Sequence, residues 1–164
     1  QGWSAVSIRS VAAACGVSVG SIYNYFESKA DLMGAAVESV WFEIFHRPED
    51  RAVFQDTQAC MAWMYERMAY GCRQYPGIFT LHSLGFLQGD KAAGKQRMQW
   101  AWRHIQEELC AVLRQDARIR PDAFREQFTV EAFADVLFSL MLSALLKEDY
   151  DPAPVLEIIR RTLY

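Results

Sequence analysis

The sequence predicts an all-α protein built from two helical units. Apolar residues recur at the three- and four-residue spacing of a helix along most of the chain, no run alternates as a strand would, and the breaks fall at glycine and proline. The 164 residues are enough to bury a real core, and 52% hydrophobic with 23% charged residues is ordinary for a globular protein. We expect one unit at 1–47 and a second at 48–164.

The first unit is organised around two short helices. Ser7 is a candidate cap for the first helix, because its hydroxyl can accept a hydrogen bond from a first-turn N–H. Ile8, Val11, Ala12 and Cys15 fall at helical spacing and form its narrow apolar face. Gly16 follows where a helix commonly ends in a left-handed residue. The spacing therefore predicts a helix that ends at a sharp turn.

The second helix is expected to begin after another candidate cap, Ser18. Val19, Ile22 and Phe26 are expected to form its buried face, and Val17 is expected to point from the turn into the same small core. Two short helices in this arrangement predict a helix-turn-helix, whose second helix is presented to the major groove of DNA.

A third helix is expected from Asp31 to about Phe45. Ser28 and Asp31 have the spacing of a capping box, with Asp in place of the usual Glu or Gln. Lys29 adds a positive charge to the exposed N–H groups of this helix start, which is a favourable phosphate site.

This stretch resembles the TetR (tetracycline-repressor) family of bacterial regulators. The matching residues are Ser7-Ile8-Arg9, the run from Cys15 to Tyr23, Tyr25-Phe26, Lys29 and Leu32. Family members carry a further helix and a basic arm before these residues. This sequence starts at Gln1, in what resembles the turn leaving that helix, so we expect the N-terminal helix to lie outside this chain.

The resemblance implies a homodimer that binds a double-stranded DNA operator, expected to be an inverted repeat. It also implies that the second helix contacts base edges and that flanking side chains hold phosphates. The DNA-binding candidates are Ser7, Arg9, Ser18, Val19, Gly20, Ser21, Tyr23, Asn24, Tyr25 and Lys29. The net charge of −3 does not by itself indicate a nucleic-acid partner, so this expectation rests on the motif.

The second unit reads as a series of helices. The predicted spans are 52–74, 78–87 after Pro76, 91–115, 121–147 after Pro121, and 152–163. The segment Phe133 to Leu146 is apolar on nearly every side, which predicts burial all round. The resemblance implies that helices 127–147 and 152–163 pack against the same two helices of a second subunit in a four-helix dimer interface. The alternative is that both complete a monomeric core.

Aromatic residues of the middle helices predict a cavity for a small hydrophobic or aromatic effector, with Arg67 as its polar anchor. The candidates are Trp63, Arg67, Tyr70, Phe79, His82, Phe86, Trp102 and Phe133. Plain core packing is the competing interpretation of the same aromatic spacing. The sequence therefore predicts a repressor released from its operator by a ligand. A DNA-binding dimer whose second unit senses nothing is the alternative.

Other classes of function find little support in the sequence. No nucleophile–base pair, phosphate loop or metal-ligand spacing is present, so we expect no enzyme activity, cofactor or metal. The four cysteines form no C-x-x-C pair and are interpreted as reduced thiols of a cytoplasmic protein, with a redox sensor as the alternative. The longest uncharged apolar run, Val136 to Leu146, is too short to span a bilayer.

Overall fold

The computed structural model describes residues 6–45, 53–77 and 92–164, without the side chains of 92–98. Within these ranges the chain is all-α, as the sequence predicts, and its only strand-like feature is an isolated bridge between Arg125 and Phe128. The helices are α1 (Ile8–Cys15), α2 (Val19–Tyr23), α3 (Lys29–Phe45), α4 (Thr57–Gln74), α5 (Ala92–Gln115), α6 (Val130–Lys147) and α7 (Ala153–Leu163).

The two helix starts predicted in the first unit are confirmed. The Ser7 hydroxyl accepts a hydrogen bond from the Ser10 N–H at 3.1 Å, and the Ser18 hydroxyl accepts one from the Ser21 N–H at 3.0 Å. Gly16 ends α1 with φ at 67°, the left-handed conformation that glycine adopts without steric cost. Local side-chain chemistry therefore determines both ends of the turn.

The small core under this turn contains fewer residues than expected. Ile8, Ala12 and Ile22 are buried, but Val17 is 44% and Val19 is 37% exposed. The expectations that Val17 points into the core and that Val19 lies on the buried face were wrong. α2 has five residues and Ile22 is its only buried one, so Val19 remains at the surface, and Val17 precedes this helix in the turn, where it is exposed. Val11 packs on the small core, whereas Cys15, predicted on the same apolar face, is exposed.

Helix α3 contributes to both hydrophobic clusters. Its start is capped by Ser28, whose hydroxyl accepts from the Asp31 N–H at 3.1 Å, while the Asp31 carboxylate accepts from the Glu27 N–H at 3.1 Å. Leu32 packs on the small core, whereas the C-terminal half of α3 lies in the large core formed with α4 to α7. The predicted domain boundary at 47/48 falls within 46–52, outside the described residues, and stays a prediction.

Two helices begin later than the sequence pattern predicted. α4 starts at Thr57 instead of 52, because Asp56 caps it and the preceding residues form a single 3-10 turn. α6 starts at Val130, not at Pro121 or 127, because Thr129 caps it by accepting from the Ala132 N–H at 3.1 Å. Turns occupy most of the intervening segment.

Of the remaining helix predictions, two can be compared with the described residues and one lies outside them. α5 ends at Gln115 as predicted, and α7 begins after Pro152 as predicted. The helix expected at 78–87 lies outside the described residues. In the part of the chain that the structure describes, no helix is both long and apolar enough to cross a membrane.

Candidate DNA-binding surface and ligand cavity

The predicted DNA-binding residues lie together around α1, the turn and α2. Eight of the ten are exposed, and Ser21 and Lys29 are half-buried. Tyr23 and Tyr25 are large side chains that are 53% and 79% exposed. Both rings and both hydroxyls are therefore accessible to a binding partner.

The hydroxyls and the other side chains differ in how free they are to bind. Ser7 and Ser18 are engaged as caps, and the Ser18 and Ser21 hydroxyl oxygens are 2.9 Å apart. Within the described residues, no hydrogen bond or ion pair occupies the side chains of Arg9 or Asn24. The serines therefore fix the shape of the turn while their hydroxyls keep further hydrogen-bonding capacity, and the side chains of Arg9 and Asn24 remain available for bases and phosphates.

Positive charge on this surface is sparse. Between residues 6 and 45 the only basic residues are Arg9, near the start of α1, and Lys29, the first residue of α3. Phosphate contacts supply most of the non-specific affinity of DNA-binding proteins. Each of these two cations should therefore have a measurable effect on the salt dependence of binding.

The fold and this surface define a helix-turn-helix DNA-binding protein. Residues 1–36 match the sequence model of the family described as bacterial regulatory proteins, tetR family. Residues 1–36 thus resemble the N-terminal DNA-binding domain of that family, and this match supports a DNA-binding transcriptional regulator. The family resemblance in the motif is confirmed. No curated protein and no solved structure matches the chain.

A cavity of about 410 Å³ lies between α3, α4 and α5. Its walls are mainly aromatic and aliphatic, and its only ionisable lining groups among the described residues are Cys60, His104 and Glu108. The residues that line it are Trp41, Phe42, Phe45, Phe54, Cys60, Trp63, Met64, Ala101, His104, Ile105, Glu108, Leu109 and Val112. Its volume is within the range of small-molecule sites.

One of the eight predicted ligand-binding residues, Trp63, lines this cavity. Its ring meets Phe54 edge to face at 5.4 Å between centroids, and it is 8% exposed. Phe79, His82 and Phe86 lie outside the described residues. Arg67, Tyr70, Trp102 and Phe133 are not among the lining residues, so the structure does not bring them into one site with Trp63.

Those four residues have other contacts. Arg67 donates to the Ile44 carbonyl and lies over the Tyr70 ring, with Cζ 4.4 Å from the centroid. Trp102 meets Phe138 edge to face at 5.7 Å, and Phe133 contacts Phe128 at 5.2 Å. These are packing contacts of α4, α5 and α6 made by residues that do not line the cavity.

The sequence reasoning missed the residues that α3 and α5 contribute to the cavity. Trp41, Phe42 and Phe45 of α3 and His104 and Glu108 of α5 are not among the predicted ligand-binding residues, yet they line the cavity. The available signal was the four-residue step from His104 to Glu108, which places both on one face of α5 with Ile105 and Leu109 alongside.

The four cysteines are all free thiols. Burial raises the pKa of Cys60 to about 12, with Asp56 and Glu108 adding to the rise. Burial also raises the pKa of Cys72 and of Cys110. A raised pKa disfavours the thiolate, which is the reactive form, so it argues against the redox-sensor alternative for these three side chains. No group of three or more metal-ligating side chains occurs among the described residues.

Proposed function

We propose that this protein is a cytoplasmic, homodimeric repressor that a small hydrophobic or aromatic ligand releases from its operator. The observation that carries the proposal is the position of α3. Its first residue, Lys29, belongs to the DNA-binding surface, and its last two turns supply Trp41, Phe42 and Phe45 to the cavity. A single helix of 17 residues therefore joins the two sites.

In the complex, α2 enters the major groove. Ser18, Ser21, Tyr23 and Asn24 contact base edges or neighbouring phosphates, and Gly20 lets the helix backbone approach the DNA closely. The flanking residues position the protein without reading sequence: Ser7, Tyr25 and Lys29 hold phosphates, and Arg9 does either. Two such surfaces are needed because the half-sites of an inverted repeat lie about 34 Å apart.

Dimerisation through α6 and α7 is supported by apolar residues that the single chain leaves uncovered. Val136 and Leu146 of α6 are each 46% exposed, and Ile158 of α7 is 41% exposed. Val136, Ser139 and Leu146 recur at helical spacing, so they share one face of α6. A second copy placed there would remove this apolar surface from water.

Ligand release follows if the bound molecule prefers one position of α3. A ligand that inserts between Trp41 and Trp63 moves α3 relative to α4, and the DNA-binding surface moves with it. The shift can be no larger than the difference between the ligand's affinities for the two positions. Small movements suffice, since both reading helices must fit two grooves at once.

Fluorescence anisotropy of the full-length protein on labelled DNA from its own upstream region tests the proposal. We expect tight binding, a steep loss of affinity with salt and two protomers for each operator. Small aromatic molecules that bind the protein should lower this affinity. Weak binding that does not distinguish sequences would overturn the operator assignment, and ligands that bind without changing operator affinity would favour a second unit that only dimerises.

A further inference from the structure

The cavity has one formal negative charge at its edge. Among the described residues that line it, Glu108 is the only carboxylate, and no lysine or arginine accompanies it. We propose that this cavity binds an aromatic cation, such as an aryl pyridinium or quaternary ammonium compound. This inference rests on the proposed ligand-sensing role of the cavity and names the chemical class of the ligand.

The inner walls provide ring surfaces suited to such a cation. Trp41 stacks on Phe45 at 5.3 Å between centroids, and Trp63 meets Phe45 at 6.1 Å in an edge-on arrangement. The faces of indole and phenyl rings carry partial negative charge, so they attract cations as well as flat apolar groups. Because these three rings differ in orientation, a ligand in the cavity can contact ring faces on more than one of its sides.

A second group of rings extends towards solvent. Trp100 stacks on His104 with centroids 6.1 Å apart and planes 10° apart, and Phe42 lies 5.5 Å from Trp100. Trp100 is 53% exposed. Glu108 follows His104 by one helical turn on the same face of α5, so an entering cation would pass the indole before it meets the carboxylate.

Glu108 is available to an incoming charge. In the described parts of the chain it forms no ion pair or hydrogen bond, whereas Glu131 pairs with Arg114 and Glu157 pairs with Arg160. Its charge is felt inside the cavity, because Glu108 adds to the effects of burial and Asp56 in raising the pKa of Cys60. An anionic ligand would be repelled by the charge of Glu108, and no lysine or arginine among the described lining residues would offset that repulsion.

The experiment compares three compounds with one scaffold. Equilibrium dialysis measures binding of 1-methyl-4-phenylpyridinium, neutral 4-methylbiphenyl and biphenyl-4-carboxylate to the full-length protein without DNA. The same measurements are made on Glu108→Gln, which removes the charge and keeps the shape. Glu107→Gln is the matched control, because Glu107 is exposed on the same helix and is not a lining residue.

We expect the cation to bind the wild-type protein and the carboxylate to bind negligibly. Glu108→Gln should weaken cation binding about tenfold and change binding of the neutral compound less than about twofold, since only the cation loses an attraction. Glu107→Gln should leave both unchanged. Equal losses for cation and neutral compound in Glu108→Gln, or no cation binding at all, would overturn the proposal.

These outcomes separate the ligand class from the proposed function. If the neutral compound binds and lowers operator affinity while the cation does not, the cation assignment fails and the ligand-responsive repressor stands. If the cation binds with the expected dependence on Glu108 but operator affinity is unchanged, the cavity assignment stands and the switching proposal fails. Melting temperatures of both variants within about 2 °C of wild type would exclude unfolding as a cause.

Discussion

Arg67 of α4 donates a 2.7 Å hydrogen bond from Nε to the carbonyl oxygen of Ile44, in the last turn of α3. Carbonyls in the last turn of a helix have no partner within that helix, and they form the negative end of its dipole. The guanidinium satisfies one of these groups and brings a positive charge to it. α4 is thereby tied to the end of α3 that borders the cavity.

Arg67→Met tests this tie, because methionine retains much of the apolar stem and removes the donor. We expect the free energy of unfolding to fall by about 1–2 kcal/mol, as a buried carbonyl loses its hydrogen bond. Urea denaturation measures the change. Arg73→Met is the control, since Arg73 is exposed on the same helix. A similar fall in the free energy of unfolding of Arg73→Met would show that removing any positive charge from α4 destabilises the protein, and would contradict a specific effect of the Arg67 hydrogen bond.

Lys29→Ala should weaken DNA binding without changing sequence preference. A side chain that contacts one phosphate contributes about one unit to the slope of log affinity against log salt, so we expect the slope to fall by about that amount. Anisotropy titrations at several salt concentrations, on operator and scrambled DNA, measure it. Lys147→Ala, at the end of α6, is the control, and an unchanged slope in Lys29→Ala would remove Lys29 from the contact surface.

Gly20→Ala separates DNA contact from folding. A Cβ built on Gly20 meets only the Ser18 hydroxyl oxygen, at an ordinary 3.7 Å, and the residue lies in α2. Alanine favours a helix over glycine by up to about 1 kcal/mol, so the variant should fold at least as well as wild type. Operator affinity should nevertheless fall about tenfold, because the added methyl group keeps the backbone from the DNA.

Gly16→Ala provides the opposite case. Nothing lies within 4 Å of a Cβ there, but the φ of +67° is strained for alanine. We expect a loss of about 1 kcal/mol in unfolding free energy with DNA affinity nearly unchanged once the protein is folded. Equal losses of operator affinity in Gly16→Ala and Gly20→Ala would contradict the proposal that α2 approaches the DNA closely at Gly20.

The local features of the DNA-binding unit could be predicted because few residues decide them. Ser7, Gly16 and Ser18 each act on a backbone group within a few positions, so a pattern is enough to locate them. Val17 could not be placed this way, because the sequence around a turn does not determine whether a side chain there faces the core or the solvent. Pro121 was misleading as the start of α6, because a proline fixes only its own φ, whereas the helix begins after Thr129, whose hydroxyl accepts from the Ala132 N–H.

The cavity was harder to predict than the helices around it. Helical spacing identifies aromatic faces but does not say which face meets a space and which meets another helix. Trp63 and Trp102 fit the same pattern, yet Trp63 lines the cavity and Trp102 packs on Phe138. Likewise Glu107 and Glu108 are adjacent in sequence, but only Glu108 reaches the cavity, because successive residues point about 100° apart around a helix.

Ile158→Glu should dissociate the proposed dimer. In a two-fold interface each residue occurs twice, so the substitution places two like charges in an apolar contact. We expect the dimer dissociation constant to rise about a hundredfold, measured by sedimentation velocity over a concentration series. Ala117→Glu adds the same charge at an exposed position between α5 and α6 and should leave the dimer intact. A dimer that persists in Ile158→Glu would relocate the interface.

The Asp116 carboxylate joins three separate parts of the chain. It accepts hydrogen bonds from the Thr57 N–H at 2.8 Å, from Tyr164 Oη at 2.5 Å and from the Arg118 guanidinium at 3.2 Å. Asp116 is 5% exposed. Burial raises the pKa of this carboxyl, but the hydrogen bonds from Arg118, Thr57 and Tyr164 together outweigh burial and hold the pKa well below its usual range.

Asp116→Asn should therefore destabilise the protein most at neutral pH. The folded state keeps Asp116 ionised at pH values where the unfolded chain binds a proton, so the stabilisation is complete above the unfolded pKa and is lost as pH falls. We expect a loss of about 2 kcal/mol at pH 7, and a difference from wild type that shrinks below about pH 4. Urea denaturation between pH 7 and pH 3 measures both.

Asp122→Asn, at an exposed ion pair with Arg125, is the control and should differ little from wild type at any pH. A difference between Asp116→Asn and wild type that stays constant over this range would mean that the amide loses only packing, and that the charge of Asp116 does not stabilise the junction of α4 with the C-terminal helix.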